Sequence, residues 1–315
     1  MIDMKKISIM VPCYNEEENV VPMSEALVAE LSKLPQYDYE ILFIDNCSLD
    51  STREKLREIC AGNKKIKAIF NSKNFGQFNS PYYGLCQTTG DCTISVCCDF
   101  QDPVEMIPKF IEEWEKGYKI VCAIKTSSKE NKLMYALRSI YYKTIRKLSK
   151  VEQIEHFTGF GLYDKSFIQV LRNLGDPTPF IRGIVAELGS KIKKIEYEQA
   201  QRRAGKTSNN FASLYDAAML SFTSYTKIGS RLASILGALM CGGSVIAAII
   251  LLICRLANPY AFLFSTGTAP IIMTTVFVGG LILFFIGLLG EYVINMNARI
   301  MNRPLVIEEE RINFD

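Results

Sequence analysis

Three short polar clusters carry the side chains that handle charge: Tyr14-Asn15-Glu16, Asp45-Asn46-Cys47-Ser48 and Asp99-Phe100-Gln101-Asp102. Around the last, Cys97, Asp99 and Gln101 share parity, so in extended chain they project to one side and Cys98 and Phe100 to the other. Asp99 and Gln101 can then hold one hard divalent cation, Mg2+ or Mn2+, which stabilises developing negative charge without proton transfer. Cys97 is a poor Mg2+ ligand. It tilts the site toward softer metals or leaves the work to Asp99, Gln101, the bound group and water. Asp102, directly before Pro103, is placed as a helix cap, as is Asp50 after the second cluster. The single histidine, His156, is either a proton acceptor or a hydrogen-bonding and packing residue. Ten cysteines without a CxxC pair argue against structural zinc and for reduced, buried thiols.

These clusters need elements that present them together. Short apolar runs at Ile7 to Val11, Glu40 to Ile44, Ile66 to Phe70, Thr93 to Cys98 and Ile120 to Ala123 predict strands. Helical patterns fall between them at Glu17 to Leu34, Ser51 to Cys60, Gln77 to Thr88 and Val104 to Lys116. Strand and helix in alternation predict a mostly parallel, doubly wound α/β sheet with right-handed crossovers. The polar clusters follow the first, second and fourth strands, and ligands of such sheets gather outside the carboxyl ends of the strands. No GxGxxG follows the first strand and no GxxxxGK[ST] occurs, so dinucleotide and P-loop readings lose their main support.

The chain has 315 residues, room for an α/β domain of about 200 residues plus something more. Hydrophobic residues make up 49% and charged residues 22%, with mean hydropathy +0.11, which excludes disorder and directs attention to membrane segments. A net charge of +3 and a pI near 8.2 are too mild for a nucleic-acid protein. Leu232 to Cys254 and Ala269 to Gly290 are uncharged runs of 23 and 22 residues. As helices of about 33–35 Å they match a hydrocarbon core of about 30 Å. They predict a two-helix transmembrane hairpin, against the alternative of two buried core helices. Lys227 and Arg231 precede it and Arg299 and Arg303 follow it, while only Arg255 lies on the connecting side, so both ends are expected in the cytoplasm. Met1 to Lys6 runs straight into a strand pattern, which predicts no cleavable signal peptide. Lys125 to Lys150 carries eight basic residues against Glu130, with apolar residues at helical spacing. An amphipathic helix over about 131–148 thus suits an anionic membrane surface or, alternatively, packs on the sheet with a solvated basic face. The expected organisation is a domain over 1–208, a juxtamembrane helix over 209–231, a hairpin over 232–290 and a cytoplasmic tail over 291–315. Glycines in the spans would permit close contacts within a homo-oligomer, for which a tetramer is one expectation.

Val11-Pro12-Cys13-Tyr14-Asn15-Glu16-Glu17-Glu18-Asn19, Ile44-Asp45-Asn46-Cys47-Ser48-Leu49-Asp50 and Asp99-Phe100-Gln101-Asp102-Pro103 together resemble family 2 glycosyltransferases of the GT-A fold. The two C-terminal runs and the tail from Gly290-Glu291-Tyr292 to Asn302-Arg303-Pro304-Leu305 narrow the resemblance to polyprenyl-phosphate glycosyltransferases, the group of dolichyl-phosphate mannose synthase and bactoprenol glucosyltransferase. The resemblance covers nearly the whole chain. It implies a GT-A domain, Rossmann-like, followed by interfacial helices and the hairpin, in the inner (cytoplasmic) membrane with the catalytic domain in the cytoplasm.

By that resemblance, Pro12, Tyr14 and Glu16 surround the base and ribose of a nucleotide-sugar donor, Asp45 with Asn46 reads the base, and Asp99 with Gln101 holds Mg2+ or Mn2+. Lys125 and Arg138 match basic positions for the acceptor phosphate. Arg202, Gly205 and Thr207 match an Arg-x-x-Gly-x-Ser loop closing over the diphosphate, with Lys206 supplying charge where Ser208 replaces the usual Lys. Asp99, Asp102, Arg202 and His156 are the catalytic candidates. The family has a further Asp at Cys97, Asp and Gly at Asn46 and Cys47, and charged groups in the segment where this chain has Gly159 and Gly161. A phosphate monoester has its second pKa near 6, so the acceptor is mostly dianionic at neutral pH and attacks without a base. The implied reaction is inverting transfer of a hexose or N-acetylhexosamine from a nucleotide diphosphate, UDP in the first instance, to undecaprenyl phosphate. A flippase would act on the product, and no nucleic acid is involved. The alternative is a non-catalytic membrane scaffold that keeps nucleotide-sugar binding, favoured by Cys97, Asn46 and Gly161.

Overall fold

The computed structural model describes residues 4–127, 154–204, 269–301 and 303–314, with scattered helical positions between 219 and 253. Arg138, Lys206, Thr207, the amphipathic helix, the juxtamembrane helix and most of the run 232–254 lie outside the described residues.

Five parallel strands form in the expected order: β1 (Lys6–Cys13), β2 (Asp38–Asp45), β3 (Ile66–Asn71), β4 (Cys92–Ser95) and β5 (Ile120–Ser127). Between them run α1 (Val20–Ser32), α2 (Thr52–Gly62), α3 (Gly76–Gln87) and, after a short 3-10 turn, α4 (Ile107–Glu115). β1 is central, pairing in parallel with β2 and β4. Alternate residues of these strands feed two apolar layers. Ile7, Ile9, Val11 and Phe43 pack with Met23 and Leu27 of α1, Leu56 of α2 and Phe110 of α4. Met10, Leu42, Ile44 and Ile69 pack with Tyr82 and Leu85 of α3. Cover on both faces is why these strands read as continuous apolar runs. Each such side chain removed from water contributes about 1.5–3 kcal/mol.

Three strands add to this frame, giving the order β7-β5-β6-β4-β1-β2-β3-β8. β6 (Phe157–Asp164) wedges antiparallel between β4 and β5, and its two glycines disguise it as a turn in the sequence. β7 (Ile192–Glu198) and β8 (Glu308–Ile312) are the charged edge strands, a composition that keeps an open sheet edge from recruiting other chains. α5 (Lys165–Leu174) starts where Asp164 caps the Ser166 N–H and ends at Gly175 in the left-handed conformation, and α6 (Ile181–Leu188) follows.

Two expectations change. The fourth strand ends at Ser95, not Cys98, because the chain turns at 98–100 with Phe100 at φ +60°. The stretch after residue 290 is not simply a tail: α7 (Ala269–Met301) continues through Glu291, and β8 then pairs antiparallel with β3 from Ala68↔Ile312 to Asn71↔Glu308. The Asn313 amide donates to the carbonyls of Cys60 and Ile66, both at 2.7 Å, and Arg57 pairs with Glu310 at 2.8 Å. At 33 residues α7 is about 50 Å long. Its Phe277–Met301 segment is apolar enough to cross a bilayer, with mean hydropathy 2.2 and no protein cover, and it is the one such helix among the described residues.

Candidate active site

A cleft of about 840 Å³ opens at the carboxyl ends of β1 and β4, bordered by the start of β6 and the loops that precede α3 and α6. Its floor near β1 is Pro12, Cys13, Tyr14, Asn15 and Glu16. Asn15 adopts φ +54°, which turns this loop back toward the segment after β2. Side chains then fasten the two loops. The Asn15 N–H donates to Ser48 Oγ (2.8 Å), the Leu49 N–H to Asn15 Oδ1 (2.8 Å), and the Glu16 N–H to Thr52 Oγ1 (2.9 Å).

Asp45 lies beneath this junction at 0% exposure and does not itself line the cleft. Burial raises its carboxyl above the usual range, while the Ser48 hydroxyl and N–H and the Arg53 guanidinium at 3.4 Å hold it back. Arg53 also reaches Glu309 of β8 at 2.8 Å, so the last strand touches the same junction. Asn46 does line the cleft. Its amide donates to Asn74 Oδ1 (2.8 Å) and to the Gly76 carbonyl (3.3 Å), and its Oδ1 accepts from the Phe75 N–H and from Asn71.

The charged centre brings together residues far apart in sequence. Arg202 donates through Nε and Nη2 to Asp99 Oδ2, each at 3.1 Å, and lies 3.5 Å from Glu16 Oε1. Burial raises the Glu16 carboxyl, opposed by the Asn19 amide and Arg202. The Arg203 N–H donates to the Asp99 carbonyl at 3.3 Å, stitching the segment after β7 onto the turn after β4. The shared parity expected for Cys97, Asp99 and Gln101 does not hold, since alternation belongs to extended chain and this chain turns. Asp99 Oδ1 instead accepts the Gln101 N–H at 3.1 Å. Asp99 is 6% exposed and, like Gln101, does not itself line the cleft, which it reaches through Arg202; Cys97, Asp102, Glu16 and Arg202 line it. Among the described residues no three His, Cys, Asp or Glu side chains converge on one metal position. Asp99 and the Gln101 amide nevertheless offer hard oxygen donors of the kind Mg2+ and Mn2+ take, next to the Arg202 that lines the cleft.

Asp102 is 3% exposed and accepts the Cys97 N–H (3.1 Å) and the Tyr197 hydroxyl (3.2 Å). Burial pushes its carboxyl up to about 6, with the Cys97 N–H and Tyr197 restraining it and Asp99 adding to the rise. A folded-state value above the ordinary 3.8 means the folded protein favours the protonated form. The stability this carries is complete below about pH 3.8 and disappears as pH rises through about 6. Wild type should therefore lose on the order of 3 kcal/mol relative to Asp102→Asn between pH 4 and pH 7, read from unfolding midpoints across that range. Parallel curves would count against a titrating Asp102.

The remaining expected residues sit elsewhere. Lys125 is near the end of β5, its N–H donating to the His156 carbonyl at 3.3 Å, and neither Lys125 nor His156 lines the cleft. His156 adopts φ +59° at the entry to β6. Among the lining residues without a site role in the sequence reading are Phe78, Phe180 and Arg182. The signal that could have found them is Arg182 itself, a cation in the first turn of a helix, where the dipole disfavours positive charge.

Comparison with known proteins bears on this cleft. Glycosyl transferase family 2 matches residues 8–171, just over half the chain, from within β1 through the end of β6. The SfII prophage-derived bactoprenol glucosyl transferase of Shigella flexneri is 29% identical over 305 residues, 96% of this chain and 97% of its own. The prophage bactoprenol glucosyl transferase homolog of Escherichia coli K12 is 28% identical over 303 residues, 96% of this chain and 98% of its own. Among solved structures, glucosyl-3-phosphoglycerate synthase from Mycobacterium tuberculosis in complex with UDP is 16% identical, with a TM-score of 0.47, over 69% of this chain and 78% of its own.

Proposed function

The chain belongs to glycosyl transferase family 2, and from that premise we propose that it transfers a sugar from a UDP-sugar to a polyprenyl phosphate, with inversion, at the cytoplasmic face of the inner membrane. The observation that carries this is the Asp99–Arg202–Glu16 cluster, whose Arg202 and Glu16 line a cleft at the carboxyl ends of parallel strands. The full-length likeness to bactoprenol glucosyl transferases supports the lipid acceptor. The apolar α7 supports membrane attachment, with the run 232–254 as the second span of the hairpin.

Pro12, Tyr14 and Glu16 receive the nucleoside, and Asp45 acts from beneath by fixing the Ser48 turn while Asn46 borders the cleft. Asp99 and Gln101 would hold Mg2+ or Mn2+, which when bound offsets charge on the departing diphosphate. Arg202 adds a guanidinium suited to phosphate geometry. An oxygen of the acceptor phosphate bonds to the anomeric carbon as that carbon's bond to the UDP oxygen breaks, and UDP leaves with the electron pair. A dianionic phosphate needs no base for this step. This agrees with His156 lying off the cleft lining. Lys125, Arg138 and Thr207 remain as the acceptor-side and loop contacts of this reading.

The test is purified protein in detergent with undecaprenyl phosphate, Mg2+ or Mn2+ and radiolabelled UDP and GDP sugars, counting label in the organic phase. Label from a UDP sugar, lost with EDTA, is expected. No label from any donor, with UDP binding intact, would favour the non-catalytic scaffold to which Cys97 and Asn46 point.

A further inference from the structure

The cleft holds two arginines in opposite electrostatic states. Arg202 is neutralised by Asp99 and Glu16. Arg182, the second residue of α6 on the cleft wall, pairs with no described carboxylate, and its guanidinium lies 4.8 Å from the centre of the Phe180 ring. It also stands in the first turn of α6, a turn without any acidic residue, where the helix dipole adds positive potential. The Phe180 ring face holds the guanidinium favourably, whereas the dipole opposes its charge, an opposition that an arriving anion offsets. The surroundings describe that anion. Phe78 packs edge-on against Phe180 with ring centres 5.7 Å apart, and Ile181 continues the surface, so the cation is set in an apolar wall on the cleft. A fully hydrated anion gains little from such a wall, whereas a phosphate esterified to an apolar chain satisfies both parts.

We propose that Arg182 receives the phosphate of the acceptor, with Phe78 and Phe180 against the first apolar unit of its chain. The inference rests on the polyprenyl-phosphate reading and goes beyond it by assigning the acceptor head to a residue of the cleft wall. It divides the donor diphosphate and the acceptor phosphate between the two arginines. Arg202, already within a carboxylate cage, faces the donor diphosphate and its cation. Arg182 faces the nucleophile.

Binding of farnesyl phosphate, farnesol and UDP to the full chain in detergent tests this, in wild type and in Arg182→Gln and Arg182→Lys. Arg182→Gln is expected to weaken farnesyl phosphate at least tenfold, leaving farnesol and UDP within twofold. Arg182→Lys should recover part of the loss, because it keeps the charge without the planar fork. In turnover, the KM for undecaprenyl phosphate should rise with the donor KM unchanged. Equal losses for UDP and farnesyl phosphate, or unchanged farnesyl phosphate binding in a variant whose wild type transfers sugar, would overturn the inference and leave the reaction standing. Wild type that binds UDP but neither binds farnesyl phosphate nor labels undecaprenyl phosphate would overturn both.

Discussion

Asp99→Asn is expected to lower the rate of sugar transfer about a hundred- to a thousandfold at saturating donor and acceptor, the cost of removing one preorganised electrostatic contact at a reacting centre. Asp99 meets Arg202 twice through one oxygen and holds the Gln101 N–H with the other. The amide keeps the shape and the turn but gives up the charge that fixes the guanidinium and would bind a cation. The Mg2+ or Mn2+ concentration for half-maximal rate should rise together with the fall in rate, while the unfolding midpoint changes little. Cys97→Asp is the converse substitution. It adds a hard oxygen donor at the exposed position lining the same cleft and should preserve or raise the rate. A loss below tenfold for Asp99→Asn would remove Asp99 from the chemistry.

Gly161→Ala is expected to destabilise the protein by about 3 kcal/mol or more, the upper range for forcing atoms into a packed interior. β6 is squeezed between β4 and β5, with Gly161 opposite Ser95 and Cys122. A Cβ on Gly161 would stand 2.2 Å from the Val121 carbonyl oxygen, and that backbone is held between β6 and β7. The unfolding midpoint should fall by about 6–12 °C for a domain of this size. The neighbouring Gly159 meets only Ile181 at 3.7 Å. A side chain is thus excluded at Gly161 by the sheet, so its lack of a charged group says nothing for the scaffold reading. An alanine variant with wild-type stability would show that the strands can part there.

The five parallel strands were legible because two apolar layers force them to be apolar on both faces. β6, β7 and β8 were not, since glycine pairs and runs of Lys and Glu carry turn and surface signals whatever the backbone does. In the site, Tyr14, Glu16, Asp99 and Arg202 could each be singled out by type. Their meeting could not, because Arg202 reaches Asp99 across 103 positions through the β7 crossover. The geometry of Asp99 and Gln101 failed at one torsion, the left-handed Phe100. Phe78, Phe180 and Arg182 form no pattern in one dimension, being 102 and 2 residues apart, and only the packing of α3 against the loop into α6 makes them one wall.

The ladder between β8 and β3 means that the covalent path is not the sole link between the sheet and α7. A protease cut anywhere from 205 to 268 would split the chain in two, yet the fragment carrying α7 would still own a strand of the other fragment's sheet, clamped by Asn313, Arg57 and Arg53. The nicked molecule would behave as one particle, separable only by whatever melts the sheet itself. Losing 308–314 instead would leave an unbroken chain whose two parts are held together by the Arg299–Asp176 pair at 3.5 Å and the Ser72–Ile307 backbone bond, without the ladder.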